Sequence, residues 1–221
     1  MVTPHDEELD HIRSLVLRMG VRAESMARLA ARGVAERDLV LARSVAVADV
    51  ELDHLETEID RLVVARLARY PASGSALRFL VCSLKVVTEL ERIGDHAVNL
   101  SDRAIDLGTA PGLEPGLEFP VMAQVAVGMI RQATTAFGVH DANLARAIME
   151  RDEEVDHLHR QGLARLAAAA SVAPGQADRA FLLSSSLRQV QRMADHAVRV
   201  AQLVVFLVDD QDVRHRNLAT T

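Results

Sequence analysis

The stretch ELERIGDHAVNL (89–100) is answered a hundred positions later by QVQRMADHAVRV (189–200), so R-x-x-D-H-A-V stands at 92–98 and again at 192–198. An earlier pair of segments repeats in the same order. RDLVLARSVAVADVELDHLE (37–56) lies over HDANLARAIMERDEEVDHLH (140–159) at a spacing of 103, sharing Leu-Ala-Arg and D-x-x-x-D-H-L. Two motifs recurring in one order mean duplication of a unit of about a hundred residues.

Each unit reads as helical. Leu52, Leu55, Ile59 and Leu62 recur at three and four residues, as do Leu90, Ile93, Ala97, Leu100, Ala104 and Leu107, and no stretch alternates with period two. Breaks fall at Gly33–Glu36, Pro71–Ser75 and the Pro/Gly-rich segment 108–120, with SVAPGQA (171–177) repeating the inner one. Helices are predicted near 6–32, 36–69, 75–107, 119–138, 140–170 and 177–208. The fold class is all-α, a tandem pair of homologous three-helix bundles: the first in 1–110, the second in 118–208, and a polar C-terminal tail in 209–221. Two separate cores are expected, joined through 108–118.

The 221 residues carry 31 acids, 25 Lys and Arg, no Trp, one Tyr and one Cys. A net charge of −6 leaves no basic face to neutralise phosphates, which excludes a nucleic-acid partner. Cys82, alone in an apolar run, reads as a small buried hydrophobe in a reducing compartment. The first fifteen residues have acids where a secretory signal has bases, and no apolar run reaches about 18 residues, so a cytoplasmic protein is expected.

Carboxylates fall at helical spacing beside these apolar stripes. Asp49, Asp53, Glu56 and Asp60 form one stripe on the second helix; Glu91, Asp95 and Asp102 form another on the third. If the two helices pack side by side, the stripes face each other, and a hard cation with oxygen ligands would relieve their repulsion. A solvated acidic face with Arg61, Arg66 and Arg92 as counter-ions is the competing reading. The second unit keeps Asp152, Asp156 and Asp195 but has Gln191 for Glu91, Gln202 for Asp102 and His159 for Glu56. It should hold a hard cation more weakly.

His54, His96, His157 and His196 each follow one of these Asp residues, about 100° round the helix, which favours seam or local pairing over metal ligation. Glu51-x-x-His54 and Glu154-x-x-His157 spell the ligand motif of carboxylate-bridged di-iron bundles. Those sites need both copies in one four-helix bundle; here they lie in separate units. A ferritin-like di-iron oxidase or metal-storage bundle is therefore the alternative reading.

ELERIGDHAVNLSD (89–102), QRMADHAVRVAQ (191–202), DVELD (49–53) and YPASGSALR (70–78) together resemble the PhoU family of bacterial phosphate-transport accessory and regulatory proteins, over about residues 5–208. The resemblance implies two three-helix bundles and multinuclear metal sites on acid-x-x-x-Asp pairs. Those pairs are Asp49/Asp53 with Glu91/Asp95, and Asp152/Asp156 with Gln191/Asp195. Glu56, Asp102 and Gln191 are further candidates, and the metal would be iron or another hard divalent ion such as Mn, Mg or Ca. Gln191 departs from the family pattern, as does Ala76, where the family usually has Asp before Leu-Arg.

The resemblance further implies a non-enzymatic negative regulator of phosphate uptake and the phosphate-starvation response, without catalytic residues. It would act as a homodimer between the ATPase subunit of a phosphate ABC transporter and a membrane sensor histidine kinase. Such partners would hold it at the inner face of the membrane.

Overall fold

In the computed structural model, residues 4–109, 112–211 and 213 are described. The helices are α1 (Pro4–Glu36), α2 (Leu39–Arg69), α3 (Gly74–Leu107), α4 (Glu118–Val139), α5 (Ala142–Glu150), α6 (Asp152–Val172) and α7 (Ala177–Asp209), with a short 3-10 turn at Pro174–Gln176. No strand occurs among the described residues. Of the expected polar tail, Asp209 belongs to α7, and 212 and 214–221 lie outside the described residues.

The first connection of each unit is built the same way. Arg37 and His140, equivalent at the spacing of 103, both adopt left-handed backbone with φ of 56° and 54°. The next residue is an Asp whose side chain accepts from the two backbone N–H groups at the start of the following helix, Asp38 from Val40 and Leu41, Asp141 from Asn143 and Leu144. Each Asp amide donates back to the preceding helix, Asp38 to Gly33 O at 3.1 Å and Asp141 to Ala136 O at 3.0 Å. The helix break expected at Gly33 therefore comes three residues later. Gly33 stays helical, and a Cβ there would stand 3.2 Å from that of Ala42, so its small size serves close helix approach.

One helix expected over 140–170 is two. At Arg151 the bonding tightens to three-residue turns, Arg151 N to Ile148 O and Glu154 N to Arg151 O, both 3.1 Å. Arg151 reaches from this turn to Gln132 on α4, Nη1 to Oε1 at 3.1 Å; the first unit has Ala48 at this position and an unbroken α2.

Within each unit the three helices pack as read from the sequence: α1, α2 and α3, then α4, α5/α6 and α7. The units are not separate bodies. The most extensive helix pair in the chain is α3 with α7, and α1 also packs along α4. Together α1, α3, α7 and α4 form a closed four-helix ring, flanked by α2 on one side and α5/α6 on the other. Buried side chains of both halves accordingly merge into one core, from Ile12 and Met19 through Leu90 and Ile93 to Phe137, Val190 and Val204. Leucine and alanine on several faces of α3 and α7 produce this result, since each helix buries one stripe in its own unit and another in its neighbour.

Candidate metal seam and the inter-unit junction

Side-by-side packing of α2 and α3 brings the two acidic stripes together. Gly94, between Glu91 and Asp95, makes the approach close. A methyl at this position would collide with Leu52 Cδ2 and lie 3.4 Å from Asp49 Oδ1. The second unit solves the same packing with opposite sizes: the equivalents of Leu52 and Gly94 are Val155 and Ala194, both fully buried.

The electrostatics of this seam follow from burial next to like charge. Burial, then Asp53 and Asp95, push the Asp49 carboxyl above its ordinary range. Glu56 is raised by burial and by Asp60, Asp53 and Asp95 against the opposing pull of Arg92. Glu91 is raised most, to about 7, by burial first and then by Asp95, with Arg92 pulling the other way. Arg92 donates to Asp95 at 3.0 Å and lies 3.5 Å from Glu91, but one exposed guanidinium does not neutralise five carboxylates. Asp102 stands exposed two turns further along α3.

This donor set fits a hard cation. It is all oxygen, it comes from two adjacent helices, and the neighbouring negative charge that lifts Asp49, Glu56 and Glu91 is the same field that attracts a cation. As the side chains stand, no three His, Cys, Asp or Glu residues among those described converge on a single ion position. Ligation would thus require rotation of side chains such as exposed Asp53 and half-buried Asp95.

The second seam has a different character. Asp152 is raised by burial, Asp195 and Asp156. Asp195 is raised by burial, with Arg192 opposing. Gln191 Nε2 donates across the seam to Asp156 Oδ1 at 2.6 Å. His159 replaces Glu56; its Nε2 is buried without a hydrogen-bond partner, and burial keeps the ring's pKa low.

The histidine of each D-H-A-V motif faces the other unit. His96 Nδ1 meets Gln189 Oε1 at 2.8 Å, and His196 Nδ1 meets Glu89 Oε2 at 2.6 Å. These contacts are equivalent under the repeat, 96 with 196 and 189 with 89. The two rings lie 5.3 Å apart at 32°. Burial, the dominant effect, lowers the His96 pKa. Residues 89 and 189 belong to no site read from the sequence. The only signal for them was the divergence of adjacent Asp and His, which requires two different neighbours.

The E-x-x-H copies do not meet. Glu51 is held by Arg18 at 2.9 Å and by Arg22, while His54 is exposed. Glu154 lies 3.6 Å from Arg151, and His157 Nε2 accepts from Gln161 at 2.9 Å. Both copies sit on the flanking helices, and α2 packs on α1 and α3 but on neither α5 nor α6.

Comparison with known proteins decides the ancestry. The sequence profile of the PhoU domain matches twice, over 16–104 and 119–204. The chain belongs to the PhoU family. It is 33% identical over 214 residues to a phosphate-specific transport system accessory protein PhoU homolog of Pseudomonas putida, covering 96% of this chain and 83% of that one. An Aquifex aeolicus homolog of the same description is 30% identical over 212 residues, 96% of each chain. Among solved structures, PhoU from Pseudomonas aeruginosa superposes with a TM-score of 0.88 at 32% identity, over 93% of this chain and 99% of the other. The phosphate transport system regulatory protein PhoU from Streptococcus pneumoniae, at 21% identity and a TM-score of 0.85, shares the fold. No helix of the described residues is long and apolar enough to cross a membrane.

Proposed function

We propose that this chain is a negative regulator of phosphate uptake and of the phosphate-starvation response. It works as a metal-binding adaptor between the ATPase subunit of a phosphate ABC transporter and a sensor histidine kinase, as a homodimer held at the membrane's inner face by those partners. Family membership supports the phosphate-transport role, because the full-length relatives carry that description. The observation that carries the metal reading is the α2/α3 seam, where Glu91 is lifted to about 7 beside Asp95 and Asp49 is lifted beside Asp53 and Asp95.

In this reading Asp49 and Asp53 from α2, with Glu91 and Asp95 from α3, hold the cation, and Glu56 supports them. A bound hard cation supplies positive charge that joins the two helices. The protein's own part is steric and electrostatic: Gly94 sets the helix separation, Arg92 balances Asp95, and the buried stripe behind them fixes the register. Asp152, Asp156 and Asp195 form the corresponding, weaker set in the second unit. In this reading the function is binding and not turnover, in keeping with the accessory and regulatory descriptions that the relatives carry.

Deleting the chain should leave phosphate-starvation genes expressed in phosphate-rich medium, and tagged protein from phosphate-replete cells should bring down the transporter ATPase and the kinase. Normal repression in the deletion strain would sink the proposal. Oxygen consumption with ferrous iron, dependent on Glu51 and His54, would favour the di-iron alternative.

A further inference from the structure

We infer that Gln191 is the residue that reserves hard-cation binding to the first unit, because its amide N–H occupies the place beside Asp156 that a cation would take. The inference rests on the proposed reading of the α2/α3 seam. Gln191 is the equivalent of Glu91, and Asp156 the equivalent of Asp53, so the two seams pose one geometric problem with two chemistries. In the first, both positions are carboxylates, Glu91 and Asp53, and neither carries an amide donor. In the second, Nε2 lies 2.6 Å from Asp156 Oδ1, and since a carboxylate only accepts, the amide nitrogen must be the group that faces it. This bond runs from α7 to α6 and closes the second unit without an ion.

Charge counts point the same way. The first seam gathers Asp49, Asp53, Glu56, Glu91 and Asp95; the second has Asp152, Asp156 and Asp195, with neutral Gln191 and His159 in the other two places. An ion entering there must break a short hydrogen bond to a charged acceptor and then accept a poorer ligand set. The molecule thus has one half whose helix pair responds to a cation and one half closed by its own side chain.

The test uses the full-length chain, Mn2+ as probe, and hydrogen exchange read separately over 39–107 and 152–209. In the wild type, Mn2+ should slow exchange in 39–107 only. Gln191→Glu should roughly double the Mn2+ bound per chain, extend protection to 152–209, and melt lower than wild type in EDTA. Gln191→Met removes the donor without adding an acceptor; it should melt lower in EDTA and gain no Mn2+, which separates loss of the bond from gain of a ligand. Equal Mn2+ protection of both halves in the wild type would overturn the inference. So would Gln191→Glu failing to gain Mn2+ while the first seam binds it. If no variant binds Mn2+ at all, the cation reading of the first seam fails. The closure is then judged on melting in EDTA: it stands if Gln191→Met is destabilised, and falls if it melts with the wild type.

Discussion

Glu91 shows how one side chain links packing to solution behaviour. Its carboxyl titrates near 7 in the folded chain against an ordinary value of 4.5, because burial and Asp95 disfavour the charge. A raised acid pKa means that the native state holds a proton the unfolded state has released between those values, so stability falls as pH rises through that window. Asp49, Glu56, Asp152 and Asp195 are shifted in the same direction. Between pH 5 and 7.5 Glu91 should therefore lose on the order of 2 kcal/mol of its contribution in metal-free protein, while His96, His140 and His159, whose pKa values burial lowers, act in the opposite direction. Urea melts with EDTA across this range check it, and Glu91→Gln should flatten the slope. A pH dependence that Glu91→Gln leaves unchanged would show that the seam is open and solvated.

Another residue-scale expectation concerns the junction. Glu89→Gln should be tolerated within about 0.5 kcal/mol, because it recreates at His196 the pairing that Gln189 already makes with His96. Glu89→Ala should cost about 1–3 kcal/mol, since it leaves Nδ1 of a 7%-exposed histidine without its partner. Chemical denaturation of the two variants side by side distinguishes these outcomes.

At the level of helices, the α2/α3 contact is set by Leu52 against Gly94, and the α6/α7 contact by the reversed pair Val155 and Ala194. Gly94→Ala should destabilise by about 1–2 kcal/mol, the overpacking cost less the gain in helix propensity. Adding Leu52→Val should restore much of the loss by giving the first unit the second unit's solution. A double variant less stable than both single ones would mean that the repeat equivalence does not extend to packing. The connection between the units shows similar economy of parts. Arg179 donates to Leu113 O at 2.8 Å and Leu107 O at 2.9 Å, Gln176 accepts from Leu113 N at 3.1 Å, and Arg165 holds Glu118 at 3.0 Å, so the second unit fastens the connection to itself.

The whole molecule is a four-helix ring with one flanking helix layer on each side, and its halves share a core. Residues 1–110 expressed alone should expose the α3 surface that α7 covers, and should associate or bind a hydrophobic dye where the full chain does not. Circular dichroism melts and gel filtration of 1–110 and 118–208, apart and mixed, test this. A monomeric fragment with a cooperative melt would show that the junction is an accessory contact. Metal content should also be uneven: Asp53→Ala should lose more bound hard cation than Asp156→Ala.

The sequence by itself determined the duplication, the helical class, the three-helix plan of each unit save the α5/α6 break, and the acidic pairs Asp49/Asp53 and Glu91/Asp95. These features are local, written in the period of apolar residues and in spacings of three, four and a hundred. It also supplied the difference between Glu91 and Gln191, because chemistry at equivalent positions is legible without coordinates. Only the tertiary structure decided that the two bundles close into one ring, that His96 and His196 meet across it, and that Gln191 bonds Asp156. Each depends on which face of a long helix turns toward which neighbour. An Ala- and Leu-rich helix with more than one apolar stripe leaves that choice open until all its partners are in place.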